Sequence, residues 1–151
     1  MAAYAKSVTA AAMKLNFESM QNINDKEIFY SICDTLNTEY AAMETAGLAG
    51  YTVTTGLQAT LERKLERMAS SVQVEILKAF FVRLVAEFSA VETSGLAYTQ
   101  TDDSSTLGAF GTFENYLKIE IQNLCEVENR IMLHALIAQI IAEHVLLVAA
   151  S

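Results

Sequence analysis

The residues best placed to do chemistry are three glutamates, Glu39, Glu87 and Glu143. Each stands in a run of helical spacing, with steps of four, three and four residues, in which the other three members are apolar. The runs are Ile32–Leu36–Glu39–Met43, Phe80–Leu84–Glu87–Val91 and Leu136–Ile140–Glu143–Leu147. Each glutamate therefore occupies a position where an apolar helix stripe calls for a hydrophobic side chain.

A buried carboxylate must share a proton, bind a cation or find a donor, because burying it alone is costly. If the helices bring the three together, they form a buried carboxylate cluster, with Arg83 and Arg130 as candidate partners. The alternative is that the positions lie at a wet rim and that glutamate is there as a good helix former. Both interpretations stay open at the level of sequence.

Other constellations argue against enzyme chemistry. A ferritin-like di-iron site needs Glu-x-x-His, and neither His134 nor His144 has a glutamate three residues before it. The acidic stretch from Asp102 lacks the alternating spacing of a calcium-binding loop. The sequence also shows no glycine-rich phosphate loop and no Ser-His-Asp arrangement. We therefore expect no catalytic residues, no metal and no cofactor.

The helices that would position these glutamates come from an internal repeat. Residues 27–52 match residues 75–99 at an offset of 48, with one gap, and a fainter third copy follows at an offset of 56. We predict one domain over 1–151, with repeat units of approximately 9–56, 57–112 and 113–151. Each unit has apolar residues at steps of three and four, which indicates amphipathic helix.

The predicted fold class is therefore all-α, a bundle of three long amphipathic helices with an internal repeat. With no proline and only 6 glycines, continuous helices in an up-down-up arrangement are favoured. Polar stretches at 22–27 and 70–73 could be caps that break the three helices into six, and this alternative stays open.

The second linker, roughly 94–112, is long, and a loop of that length is usually functional or disordered. We take it as a candidate interface loop, with Tyr98, Asp102, Asp103 and Phe110 as the residues that would make contact.

Composition narrows the class of partner. Hydrophobic residues make up 52% of the chain and the formal net charge is -8. The negative charge disfavours nucleic acid and anionic membranes, because phosphate binding needs a basic face. The start of the chain lacks the apolar core of a signal peptide, and polar residues interrupt the apolar segment 131–150, so we expect no membrane span.

The functional prediction is a non-enzymatic structural or assembly protein. It would be a helical subunit that associates with itself or with other protein subunits in a virus particle, shell or filament, and it would reside in the cytoplasm or a virion. The alternative is a helical-bundle binding or regulatory module for a small apolar ligand or a partner helix.

Overall fold

The structure, a computed structural model, describes residues 3–101 and 112–150. Over these residues the chain is all-helical, as predicted, and contains six α-helices and no strand. In chain order the helices are α1 (Ala10–Leu15), α2 (Ile23–Ala46), α3 (Leu57–Leu65), α4 (Ser71–Ser94), α5 (Phe113–Ile121) and α6 (Val127–Ala150). A short 3₁₀ helix (Gly95–Ala97) follows α4.

The favoured continuous helices are replaced by three pairs, each with a short helix followed by a helix of 24 residues. Side-chain caps at the break explain two of the interruptions. Asn22 accepts a hydrogen bond from the Asp25 amide, and Ser70 accepts one from the Gln73 amide. A side-chain acceptor satisfies an amide that has no partner in the first turn, so a new helix can begin without glycine or proline.

The long helices do not alternate in direction. Near their C-terminal ends the rings of Tyr40, Phe88 and His144 contact one another, with centroids 5.3 to 5.9 Å apart. Near their N-terminal ends, Asn24 of α2 bonds the carbonyl of Arg67, three residues before the cap of α4. The start of α6 also lines a pocket with the start of α2. The long helices α2, α4 and α6 therefore run parallel.

The short helices make this parallel arrangement possible by carrying the chain back along the bundle. Helix α1 lies between two long helices, since Lys14 pairs with Asp34 of α2 at 2.9 Å and Gln139 of α6 donates to the Ala12 carbonyl at 3.1 Å. In the same way α3 contacts α2 and α4, and α5 contacts α4 and α6. The six helices form a closed ring.

The apolar stripes meet inside this ring. Buried side chains from all six helices form one hydrophobic cluster. It includes a stacked pair, Phe17 on Phe29 with centroids 4.7 Å apart, which joins the end of α1 to α2. The cluster surrounds the three glutamates and holds their positions along the long helices.

Candidate functional site: a threefold set of buried glutamate clamps

All three glutamates predicted from the apolar runs lie in the interior. Glu39 is 1% exposed, Glu87 is 2% exposed and Glu143 is fully buried. Each lies seven residues before the last residue of its long helix. The three carboxylates therefore lie at the same level of the parallel bundle.

Each glutamate is held by a non-helical segment that we call a clamp, which contains a tyrosine and a serine or threonine three residues later. In the first clamp, the Tyr51 hydroxyl donates to the Glu39 carboxylate, and the Thr54 amide donates to the same oxygen at 3.1 Å. Because Gly47 ends α2 with a φ of 75°, the chain can turn sharply and bring Tyr51 back onto the helix it has just left.

The second clamp repeats this chemistry on α4. The Tyr98 hydroxyl donates to Glu87 at 2.5 Å, and the Thr101 amide donates to the same oxygen at 3.0 Å. The Thr101 hydroxyl donates to the other oxygen. Here Gly95, with a φ of 55°, ends the helix.

The third clamp joins the two ends of the described chain. Glu143 accepts from the Tyr4 hydroxyl, from the Ser7 amide at 3.2 Å and hydroxyl at 2.7 Å, and from the Val8 amide at 3.0 Å. Residues 3–8 are not helical and lead directly into Thr9, the N-cap of α1. This segment closes the ring of helices.

These donors stand where water or a cation would otherwise be needed. A buried carboxylate that accepts several hydrogen bonds escapes most of the cost of leaving water. Burial and the hydrogen bond to the carboxylate raise the pKa of Tyr4 and of Tyr51, and burial with the nearby Glu87 charge raises that of Tyr98. The three phenols therefore remain protonated donors at any physiological pH.

The cationic partners suggested by the sequence lie elsewhere. Arg83 pairs with Glu120 at 3.3 Å and lies over the ring of Tyr116, and Arg130 donates to the carbonyl of Leu124. Both arginines extend toward the outside of the bundle, whereas tyrosine hydroxyls and backbone amides satisfy the glutamates from within. Among the described residues, no group of three or more His, Cys, Asp or Glu side chains could hold a metal ion.

A buried histidine lies beside the second clamp. His144 is fully buried, and Tyr40 bonds its Nε2 at 2.8 Å while Tyr98 bonds its Nδ1 at 2.9 Å. Because Tyr98 donates its only hydroxyl proton to Glu87, the Nδ1–H of His144 must donate to the Tyr98 hydroxyl oxygen. Nε2 is then the acceptor for Tyr40, which fixes the neutral tautomer.

Burial lowers the pKa of His144 to about 3 from its usual 6.5, so the ring is neutral at ordinary pH. The rings of Phe88 and Phe113 pack against it at 5.9 and 5.0 Å. Both nitrogens are occupied and the ring is sealed in the core. This is the arrangement of a structural core histidine, because neither ring nitrogen is open to a substrate.

The four residues named for the candidate interface loop are not confirmed as surface contacts. Tyr98 is fully buried and bonded to Glu87 and His144, so it belongs to the interior and is not a surface contact. The other candidates, Asp102, Asp103 and Phe110, lie outside the described residues.

The residues that the sequence reasoning missed are the clamp donors. The signal was present, because a tyrosine is followed three residues later by serine or threonine at Tyr4, Tyr51 and Tyr98, each 47 residues apart. The match between Tyr51 and Tyr98 is visible in the repeat alignment, but Tyr4 lies before the predicted start of the first unit.

Comparisons with protein-family models, with curated proteins and with solved structures find no match to this chain.

Proposed function

We propose that this chain is a non-enzymatic structural subunit that associates with further copies of itself, as in a shell, a filament or a virus particle. The observation that carries the proposal is the outward face of α6, which exposes large apolar side chains and, from Ile131 onward, no acidic side chain. The interior adds support, because its glutamates and its histidine are fully engaged in holding helices together.

The three long helices can be compared at matched positions, counted from the buried glutamate. Twelve residues before it, α2 carries Glu27, α4 carries Glu75 and α6 carries Ile131. Ile131 is 62% exposed. Two and three residues after it, α6 carries Val145 and Leu146, which are also exposed. At the positions matched to Val145 and Leu146, α2 and α4 carry only alanine or serine, so at these three positions the large apolar side chains belong to α6 alone. A long exposed apolar stripe is typical of a protein contact.

The occupant that best fits this stripe is a second copy. The chain has a formal net charge of -8, so identical copies repel one another over most of their surface. Within α6, all of which is described, no acidic side chain is exposed between Ile131 and Ala150. Small exposed residues between the large ones, at Ala135, Ala138 and Ala142, allow a second helix to approach closely.

Helix α6 is also the one described helix that is long and apolar enough to cross a membrane, although 44% of its most apolar window is buried inside the protein. We propose that it is a core helix with a contact face. Its Glu143 and His144 are bonded to three other parts of the chain, and those bonds would be lost in a bilayer. Two free cysteines fit a reducing setting, such as the cytoplasm or a virion assembled there.

We further propose that the chain is a threefold repeat of one unit. Each unit would hold a clamp segment, a short helix and a 24-residue helix with its glutamate. The tyrosines of the clamps support unit boundaries at about 4, 51 and 98, whereas apolar spacing predicted unit starts at about 9, 57 and 113. A clamp segment would then belong to the unit that follows it and would bind the glutamate of the unit before it.

The test compares two variants that add the same charge at equally exposed positions. Ile131→Glu changes the α6 face, and Val72→Glu, at 60% exposure on α4, is the matched control. We expect light scattering to show that Ile131→Glu lowers the molar mass toward that of a single chain, while Val72→Glu keeps the wild-type mass. Equal masses for wild type and both variants would remove α6 from the interface. Reductant is needed throughout, because Cys125 is exposed.

A groove of about 520 Å³ supports the alternative function, a binding module for an apolar ligand or a partner helix. It lies beside the same face and is lined by residues that include Ser19, Ile131 and Ala135. If the wild type is monomeric and binds an apolar fluorescent dye in a way that Ile131→Glu abolishes, this second function is favoured.

A further inference from the structure

The third clamp differs from the other two in how far apart its halves lie in the sequence. Tyr51 and Glu39 are 12 residues apart, and Tyr98 and Glu87 are 11 residues apart. Tyr4 and Glu143 are 139 residues apart. Short turns tie the first two tyrosines to the helices they clamp, whereas no short connection ties residues 3–8 to α6.

The segment 3–8 docks in a cleft between two long helices. Besides the bonds to Glu143 on α6, the Lys6 amide donates to Glu44 at 3.3 Å, and the Lys6 ammonium donates to Asn37 at 2.5 Å, both on α2. Tyr4 and Val8 are each only 6% exposed. The segment carries one lysine and no acidic residue, and its cleft presents two glutamates, so segment and cleft are complementary in charge.

The cleft cannot be left empty without a large cost. Glu143 is fully buried, and all of its bonded donors come from residues 4–8. Removing them would leave an unpartnered buried carboxylate. Any state in which the segment leaves its own cleft is therefore populated mainly when another segment of the same chemistry takes its place.

A second copy supplies such a segment. Helix α1 is held by Asp34 and Gln139, so the chain can hinge between Val8 and Thr9 while the helices stay in place. Six extended residues reach roughly 20 Å at most, so the receiving copy must already be in contact. The apolar face of α6, the helix that also carries Glu143, would provide that contact.

We propose that residues 3–8 exchange between copies, so that the segment of one copy clamps Glu143 of its neighbour. This inference rests on the proposed self-association and gives it a route. Reciprocal exchange makes a closed dimer, and exchange in one direction makes an open chain of subunits. The bonds within and between copies are the same, so protein concentration and strain at the hinge decide between the two states.

The experiment mixes two variants with complementary defects. Glu143→Leu has a normal segment and a defective cleft, and Tyr4→Phe with Ser7→Ala has a normal cleft and a defective segment. The first variant cannot form the clamp, and the second keeps only the two backbone amides as donors to Glu143, whereas a mixed pair can form one native clamp. We expect native mass spectrometry of the mixture, with one partner labelled with ¹⁵N, to show mixed-label complexes at several times the level of either variant alone.

The matched control uses the first clamp, with Glu39→Leu mixed with Tyr51→Phe. The short turn ties that segment to its own helix, so we expect no excess of mixed complexes. Circular dichroism checks that all four variants are folded. Absence of mixed complexes in the first pair, or an equal excess in the control pair, would overturn the exchange.

A measurement on the wild type covers the case in which a variant does not fold. Labelled and unlabelled wild-type protein are mixed, concentrated, diluted and treated with a carbodiimide, which joins lysines to nearby carboxylates. We expect cross-links between Lys6 and Glu44 to carry mixed labels. Same-label cross-links only, in a protein that nevertheless oligomerises, would reject the exchange and leave the structural function standing. A monomeric wild type whose variants nevertheless form mixed complexes would support the exchange and reject the structural function.

Discussion

Tyr40 of α2 donates its hydroxyl proton to Nε2 of His144 on α6, with 2.8 Å between the two atoms. The rings also meet edge to face, with centroids 5.6 Å apart. Both residues directly follow a buried glutamate, as does Phe88 on α4, which packs against both. One hydrogen bond thus sets the relative heights of two parallel helices, and an aromatic ring aligns the third with them.

The first prediction concerns the coupling between these two residues. Tyr40→Phe leaves Nε2 of His144 without a donor, and His144→Phe leaves the Tyr40 hydroxyl without an acceptor. We expect each to lower the free energy of unfolding by about 1–3 kcal/mol, the cost of an unsatisfied buried polar group. The double variant contains neither of these unsatisfied groups. Phe88 shows that phenylalanine fits at the position that follows a buried glutamate, so we expect the double variant to regain most of the lost stability. Urea unfolding of the four proteins measures the coupling. Additive losses would show that the bond is not formed.

The second prediction is a pH dependence that His144 causes. Its folded pKa of about 3 is below the 6.5 of the unfolded chain, so the unfolded state binds the proton more readily. Stability from this residue is therefore complete above pH 6.5 and is lost as the pH falls toward 3. By linkage the loss is about 2 kcal/mol at pH 5. We expect the double variant Tyr40→Phe, His144→Phe to lose stability less steeply than the wild type over this range.

The matched control for the pH experiment is His134→Gln. His134 lies on the exposed side of α6. Its replacement should leave the pH dependence of unfolding close to that of the wild type. If His134→Gln flattens the curve as much as the double variant does, burial of His144 is not the cause.

The caps and the glutamates show how far local sequence reaches. Asn22, Ser70 and Thr112 each cap a helix, and short-range hydrogen bonding makes such residues visible in the sequence. The glutamates are visible as interruptions of an apolar period. Whether a cap actually breaks a helix depends on the tertiary packing of both halves. The scarcity of glycine and the absence of proline favour continuous helices, and they carry no information on that packing.

The clamps lie beyond the reach of local patterns for another reason. The bond between Tyr4 and Glu143 joins residues 139 apart and exists only once the ring has closed. The parallel direction of the long helices has the same origin, since it depends on where the short helices pack. Helical periodicity identifies which face of a helix is buried, but it does not identify the helix that packs against that face.

The third prediction tests the clamps one at a time. Tyr4→Phe, Tyr51→Phe and Tyr98→Phe each remove one donor to a buried carboxylate and keep the ring. We expect each to lower the free energy of unfolding by about 2 kcal/mol, because hydrogen bonds to charged groups contribute more than neutral ones. Tyr30→Phe is the control, since the ring of Tyr30 faces Lys14 and Lys26 and no clamp. Urea titration measures all four. Losses no larger than that of Tyr30→Phe would mean that the clamp phenols do not stabilise the fold.

The fourth prediction tests the helix break. Ser70→Ala removes the side chain that accepts from the Gln73 amide, and it should cost about 1 kcal/mol. Ser71→Ala, one residue further along, keeps the cap and should change stability by less, since Ser71 is exposed in the first turn. Thermal unfolding of the two variants makes the comparison. If the two are equally destabilised, the cap does not fix the start of α4.

The measurement that bears most directly on the account is the molar mass of the wild-type protein in reducing buffer, followed by sedimentation equilibrium from low to high micromolar concentration. The buried glutamates and His144 all bond other parts of the chain, and the outward face of α6 is uncharged from Ile131 onward. We therefore predict a mass that rises with concentration to at least twice the 16.5 kDa of one chain. A mass that stays at 16.5 kDa over the whole range would contradict the assembly function.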